Sequence, residues 1–466
     1  MKINYSSKIV FDRRKLLCLL DNSEKVISKD PESFRDEISL NVSRNRFLPS
    51  VEMTRIRILQ RTLQLASVLV FFIISQTIQP CTTAVVSGKA TDDGRPLLLK
   101  NRDADDLQNK LVYFFDGKYR FIGLVNSEDK DNKDVWCGFN SSGFGIMNSA
   151  SYNLKLDNDT TTISDLEGRI MKLALETCAT LEDFEKLLSD LPKPLGVEAN
   201  FGVIDASGGA AYYETDNFRF IKYDVNDPSV APNGYFIRTN FSVAGEDNKG
   251  YGYIRYATAS GLFENQTKNG KLSFEFLIND VPRCLVHSFT KTDLTKSLPT
   301  NESEPNYIFF RDYIPRHSSS AAIVVQGVKE NESASLTTMW TILGFPLTSI
   351  IIPVWLLEDG MMPSVLQADE TGNAPLCNVA LQLKDKVFST QNDASENYLN
   401  LSALMNKENS GVRQKLIPVE ENVLEKSKSL LNKWRSNGIN QSEVKKFYEW
   451  VDNDLYLQIK TKFSIY

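Results

Sequence analysis

The chain has 466 residues, 42% apolar and 24% charged, an ordinary globular balance that allows a sizeable buried core. Its formal net charge of −6 offers no basic field for nucleic acid and no polybasic arm for an anionic membrane surface. With only His287 and His317, the chain is poorly supplied for an imidazole-rich metal site, and chemistry that needs no histidine is the economical expectation.

The front end reads as a targeting segment. Residues 61–74 form a short apolar run preceded by the basic stretch Thr54-Arg55-Ile56-Arg57-Ile58-Leu59-Gln60-Arg61. A basic region, a short apolar region and a polar exit together make a signal peptide. Met53 stands just before it, so residues 1–52 read as an over-extended start and 53–80 as signal peptide plus short propeptide. The rival is a signal anchor with a cytoplasmic tail, for which the run is short against the ~20 residues of a membrane span. The exit runs Ser75-Gln76-Thr77-Ile78-Gln79-Pro80-Cys81; Pro80 is a poor fit to a lipoprotein signal, so a propeptide ending at Pro80 would remain for the protein itself to remove. The expected product is exported, with no stable membrane insertion after processing.

After Cys81 the chain reads as strands. Residues 82–88 are β-branched and alternating, Asp92-Asp93-Gly94 signals a turn, and 96–101 make a second strand. Hairpins follow over 111–125, 135–149 and 201–214, turning at Asp116-Gly117, Ser142-Gly143 and Ser207-Gly208. Between them, residues 163–190 carry apolar positions at helical spacing, Ile170, Leu173 and Ala174 and then Leu181, Phe184 and Leu188, with Thr180-x-x-Asp183 as a capping box between two helices. Strands resume at 233–241, 319–328 and 336–344, where Met339 to Pro346 reads as core strand and turn, and 380–466 is polar and helix-prone. This order predicts an α+β fold with helices layered on antiparallel sheets, a main domain over 81–380 and a helical C-terminal extension over 381–466 packing on it.

Six cysteines are present: Cys18, Cys81, Cys137, Cys178, Cys284 and Cys377. No C-x-x-C pair occurs, which excludes zinc ribbons and thioredoxin-like motifs. Cys137, Cys178, Cys284 and Cys377 read as small buried apolar residues, with room for one disulfide among them. Cys81 differs, because the targeting segment would leave it as a new N-terminus. An N-terminal cysteine carries its own base, since its α-amine titrates near ~8 and can take the thiol proton directly or through one water. Folding about Asp93-Gly94 sets Asp103 opposite Ala84, near Cys81, with its face decided by the parity of the loop. The stretch Lys100-Asn101-Arg102-Asp103-Ala104-Asp105-Asp106 is dense in charge, and a solvated strand end is the plain alternative.

Cys81-Thr82-Thr83, Asp93-Gly94 and Lys100-Asn101-Arg102-Asp103 together resemble the N-terminal-nucleophile hydrolases, in the branch of choloylglycine hydrolases and penicillin acyltransferases. Gly138 to Gly145 resembles that family's G-x-N-x-x-G-L hairpin. Asn200 to Asp205 with Gly208 and Glu214 resembles a second hairpin, Thr239-Asn240 a strand end, and Arg255-Tyr256 a downstream arginine. The resemblance covers Cys81 to about residue 345. It implies a four-layer αββα fold of antiparallel sheets flanked by helices. It implies Cys81 as nucleophile and base, Asp103 as holder of the α-amine, Asn240 as oxyanion donor and Arg255 as the residue orienting Asp103 or the nucleophile. Asn148 falls where a second oxyanion or substrate contact is expected. Lys100 stands where the family has arginine, and a point charge lacks the bidentate fork, so Arg102 is the other candidate for that role. Plainer readings exist: Asn240-Phe241-Ser242 is a glycosylation sequon, and Arg255 after Gly-Tyr-Gly-Tyr-Ile reads as a strand arginine.

The expectation is therefore a hydrolase that cleaves a linear, non-peptide amide of a small molecule through a thioester, without metal or cofactor, and compatible with a homo-oligomer. If an amine rather than water resolves the thioester, the enzyme is an acyltransferase. The alternatives of another kind are a surface lipoprotein lipidated at Cys81 and a cysteine enzyme using His287 or His317 as base.

Overall fold

The computed structural model describes residues 81–155, 159–388 and 395–465. The targeting segment at 53–80 and the stretch 1–52 lie outside the described residues. From Cys81 the chain forms β1 (Thr82–Val86) and β2 (Leu97–Asp103), then β3 (Asn109–Phe114), β4 (Phe121–Asn126), β5 (Cys137–Asn140) and β6 (Gly145–Ala150). Two helices, α1 (Glu167–Thr177) and α2 (Leu181–Asp190), precede β7 (Ala199–Ile204), β8 (Ala210–Thr215), β9 (Phe220–Asp224) and β10 (Tyr235–Arg238). Helix α3 (Tyr253–Asn269) leads toward β11 (Ser319–Gln326), β12 (Thr338–Leu343) and β13 (Ile352–Val354), and α4 (Pro375–Val387), α5 (Val412–Asn437), α6 (Gln441–Trp450) and α7 (Tyr456–Phe463) close the chain.

These strands build two antiparallel sheets. One has the order β10-β1-β2-β11-β12-β13, and the other is a plain meander from β3 to β9. Their inner faces interlock through close backbone approaches. A Cβ on Gly202 would meet Met147 and Val85, and one on Gly145 would meet Ile204, Val325 and Leu98. The outer face of the meander is covered by α1 and α2, whose Met171, Leu175, Phe184 and Leu188 bury against Phe121, Phe201 and Tyr213. The other sheet buries its outer face under α3, α4 and α5, through Ala259, Phe263, Val379, Leu383, Val419 and Val423. The result is the four-layer αββα sandwich of the α+β class that the resemblance implies.

The local signals hold where the physics is local. Thr180 Oγ1 accepts from Asp183 N while the Asp183 carboxylate accepts from Thr180 N, so the capping box starts α2 as its sequence suggests. Trp340 is buried in β12 and stacks on Phe274 at 4.1 Å. Cys81, Cys137, Cys178, Cys284 and Cys377 are all free and buried, so no disulfide forms among them. Arg255 is not a strand residue: Gly252, at φ +84°, breaks the extended segment and α3 begins, burying Arg255, Thr258, Ala259 and Phe263 at helical spacing.

Helix α5 is tied to the sheet side by a buried charge cluster. Glu420 accepts from Arg283 Nη2 at 2.6 Å and Nη1 at 3.0 Å, from Arg413 Nη2 at 2.6 Å, and from Ile351 N at 2.8 Å. Burial would raise the Glu420 carboxyl, but Arg283 and Arg413 together hold it below its usual value. A carboxyl depressed in the fold stabilises above its unfolded pKa of about 4.3, and that contribution is lost as pH falls through the folded value. Replacing Glu420 by Gln leaves two buried guanidiniums without their counter-charge. The expected cost is about 3–5 kcal/mol, read as a lower urea midpoint at neutral pH, and the gap to the parent should close as pH drops below 4 or so.

Candidate active site

Strand register places the site. Thr82 pairs with Asn101, Thr83 with Lys100 and Ala84 with Leu99. Continuing by one rung sets Cys81 against Arg102, with Asp103 one step past it. The expected pairing of Asp103 with Ala84 is therefore corrected. The connection is not a tight turn at Asp93-Gly94. It is a folded loop over residues 87–96, in which Thr91 Oγ1 donates toward the carbonyls of Gly88 and Arg95. The loop has an even number of residues, so Asp103 points to the face opposite the Cys81 side chain. The site thus straddles the end of one sheet.

On the inner face, Thr83 accepts from Tyr212 Oη at 2.8 Å across the sandwich. Lys100 is buried beside it and donates from Nζ to Asn148 O at 2.8 Å and to Asn148 Oδ1 at 2.5 Å. This bond sets the Asn148 amide with Oδ1 on the lysine, so its Nδ2 end is turned elsewhere. Burial pulls the Lys100 ammonium down to about 8, with Cys81 pulling the other way. Arg102, on the same face, donates to Asn109 Oδ1 at 2.8 Å, Ser320 Oγ at 3.1 Å and Asn126 Oδ1 at 2.8 Å. Its donors are thus spent on the frame, which leaves Lys100 as the cation that reaches a site amide.

The main chain of Cys81 is held from the other side. Its nitrogen donates to Asn240 Oδ1 at 2.9 Å. Arg255 donates from Nη1 to Cys81 O and to Thr82 Oγ1, the latter at 3.0 Å, and from Nη2 to Asn240 Oδ1 at 2.7 Å. Asn240 Nδ2 donates to Ala150 O at 3.0 Å. Asn240 is fully buried, which removes the surface-sequon reading. Burial lowers the Arg255 guanidinium to about 9; Arg316 adds to the fall and Asp103 opposes it.

Asp103 is buried at the end of β2, where its Oδ1 accepts from Ser319 Oγ at 2.5 Å and Asn101 Nδ2 at 3.1 Å. It is no solvated strand end. A bulge between Ser319 and Ala321 turns Ser319 toward it. Burial raises this carboxyl, while Arg316 and Arg255 pull it back. The two histidines engage other partners: His287 Nδ1 accepts from Thr290 N, and His317 packs on Phe388. Burial lowers His317 to about 4. Among the described residues no group of three or more His, Cys, Asp or Glu is placed to hold a metal ion.

All six residues singled out in the sequence, Cys81, Lys100, Asp103, Asn148, Asn240 and Arg255, come together around the end of β1. Several supporting contacts were not foreseen, Glu214 and Asn200 having entered only as motif positions. Glu214 accepts from Arg238 Nε at 2.7 Å and from the backbone nitrogens of Val243 and Ala244, both at 2.8 Å, and so clamps the loop after Asn240. Ser242 Oγ donates to Asn200 Oδ1 at 2.6 Å and its nitrogen to Asn153 Oδ1 at 2.8 Å, fastening that loop to the segment after β6. Nothing local in the sequence marks Asn153, Ser242 or Arg316, which meet Asn200, each other or Asp103 across 42 residues or more.

No protein-family model and no curated protein matches this chain. Among solved structures it is similar to a Caenorhabditis elegans N-acylethanolamine-hydrolyzing acid amidase ortholog, at 14% identity over 53% of this chain and 92% of that one, with a TM-score of 0.35. It is also similar to penicillin V acylase from Agrobacterium tumefaciens, at 12% identity, 60% and 87% coverage and a TM-score of 0.32. A variant of conjugated bile acid hydrolase from Clostridium perfringens aligns at 13% identity, 59% and 92% coverage and a TM-score of 0.34. At such scores the likenesses assign neither substrate nor residue roles, and the site is read from its own geometry.

Gly252 gives that geometry a test. Its φ is +84°, and an added Cβ would sit 2.4 Å from Arg255 Nη2 and 2.9 Å from Thr239. Gly252→Ala should cost about 1 kcal/mol or more from backbone strain and should push the guanidinium off Asn240. Gly270→Ala, at the other end of α3 with open space around it, is the control. Thermal melts should separate the two variants, and equal melting temperatures would contradict this placement of Arg255.

Proposed function

We propose that this chain is an N-terminal-nucleophile hydrolase that cleaves a linear, non-peptide amide, with Cys81 as its nucleophile. The observation that carries the reading is the convergence of Asn240 and Arg255 on the Cys81 backbone. The Cys81 nitrogen and carbonyl and the neighbouring Thr82 hydroxyl are all held by buried polar groups, which supports a residue fixed in one geometry for reaction. In the full chain the Cys81 nitrogen is an amide and cannot act as base. Export through the segment 53–80 and scission of the Pro80–Cys81 bond belong to the proposal, because they turn that nitrogen into an amine.

The steps follow from the residues. The α-amine takes the thiol proton, and the sulfur adds to the amide carbonyl. Asn240 Oδ1 accepts an N–H of the amine and so turns its lone pair toward the sulfur. Asn148 Nδ2 donates to the oxyanion, with its amide oriented by Lys100, while Asn240 Nδ2 donates to Ala150 O. Collapse breaks the C–N bond, and the proton held on the α-amine goes to the leaving amine. Water then adds to the thioester, gives its proton to the α-amine, and releases the acid and the thiol. Asp103 is assigned to hold the charged form of the amine.

A panel of N-acylated amines, N-acyl amino acids, penicillins and bile-salt conjugates tests the activity. One class should be hydrolysed, with Cys81→Ala and Cys81→Ser each reducing kcat/KM by several orders of magnitude. Asn at His287 and at His317 together should leave the rate unchanged, and a total loss would favour a histidine base. Mass analysis of the mature N-terminus should find a free amine on Cys81. A diacylglyceryl adduct there would make the protein a lipoprotein and end the enzyme reading.

A further inference from the structure

We infer that Arg316, outside the set of residues carried by the resemblance, is a positioning residue of this site: its guanidinium favours the charged form of the buried Asp103 carboxyl while leaving one carboxyl oxygen open to an ammonium. The inference rests on the α-amine reading above.

The geometry is specific. Asp103 Oδ1 is saturated by Ser319 Oγ and Asn101 Nδ2. Arg316 Nε lies 3.1 Å from the other oxygen, Oδ2. That approach is off the hydrogen-bond angle, so among the described residues Oδ2 has an ion-pair partner but no hydrogen bond. Arg316 also donates its backbone N–H to Ser319 Oγ at 3.0 Å, the hydroxyl that donates to Asp103. The same residue therefore fixes one carboxyl oxygen through Ser319 and neutralises the other directly.

The charges around Asp103 come from three elements: Arg316 from the loop entering β11, Arg255 from α3 and Arg102 from β2 itself. Asp312 acts on Arg255. The hydrogen bonds of Arg255 go to Cys81, Thr82 and Asn240, and those of Arg102 to Asn109, Asn126 and Ser320. Both reach Asp103 only through space, so Arg316 is its ion-pair partner. Without it, a carboxyl with no solvent exposure would tend to take up a proton, and a neutral carboxylic acid cannot hold an ammonium. Register sets Asp103 one step past the Cys81 rung, and Arg255, which holds the Cys81 carbonyl, also acts on Asp103. Asp106 and Glu128 in turn act on Arg102, so of the three guanidiniums only that of Arg316 is in direct contact with Asp103.

The test uses Arg316→Gln and Arg316→Lys in the protein expressed as the full chain and processed to begin at Cys81. Arg316 is partly solvent-exposed, so neither change opens the core. The first readout is an infrared titration with aspartate carrying heavy carbon at its carboxyl, with Asp103→Asn identifying the band. Asp103 should take up its proton about 1 pH unit higher or more in Arg316→Gln, with most of the shift reversed in Arg316→Lys. The second readout is kcat/KM against pH, where the acid limb should move upward in the same order and the rate above that limb should stay within a few-fold. An unmoved Asp103 band in Arg316→Gln overturns the inference. A moved band in a protein that hydrolyses no amide would support the electrostatic role of Arg316 and count against the enzymatic reading, so the two failures look different.

Discussion

A buried guanidinium has five N–H groups, and the site is organised by the bonds Arg255 makes through its two terminal nitrogens, its Nε having no hydrogen-bond partner among the described residues. Its partners are the Cys81 carbonyl, the Thr82 hydroxyl and the Asn240 carboxamide oxygen. Those bonds join the first turn of α3 to the first residues of β1 and to the strand end after β10, three segments far apart in the chain. Losing any one of them would leave a desolvated donor without a partner, which costs more than an exposed bond would. The arrangement of Cys81 is thus enforced by the expense of burying Arg255.

The surrounding loops extend the same logic. Asn240 can meet Cys81 only if the segment 239–246 holds its course, and its fastening is polar rather than apolar. Glu214 receives two backbone nitrogens and Arg238, while Ser242 bonds to both Asn153 and Asn200. Polar networks that are satisfied in this way are rigid and specific. The glycines at 250 and 252 let the chain pass beneath it, since a Cβ at Gly250 would strike Asn240 O and one at Gly252 would strike Arg255.

Lysine in place of arginine at position 100 has a physical consequence. A point-charge ammonium can put two of its protons on one asparagine, through Asn148 O and Oδ1, whereas a planar fork would be spread over two partners. The neighbouring Arg102 carries the framework bonds to β3, β4 and β11 that a fork suits. The inner face therefore divides the work between the two cations, with Lys100 serving the site and Arg102 the sandwich.

The sequence by itself determined the main strands and the paired helices with their capping box, because alternation, helical spacing and caps act over a few residues; the six residues that gather at Cys81 were marked by the ordered motifs of the resemblance. It could not decide the register of β1 on β2, which depends on how the loop 87–96 folds and not on how many turn residues it holds. Its plainer reading of Arg255 as a strand arginine does not hold, since 255, 258, 259 and 263 share a helix face. Only the tertiary structure put Asp103 on the far face of the sheet from the Cys81 side chain, brought Arg316 and Ser319 to it across more than 200 residues, and buried Asn240 where its sequon had suggested a surface. Those contacts are set by desolvation, which depends on what every layer of the sandwich covers and leaves no mark in any short stretch of chain.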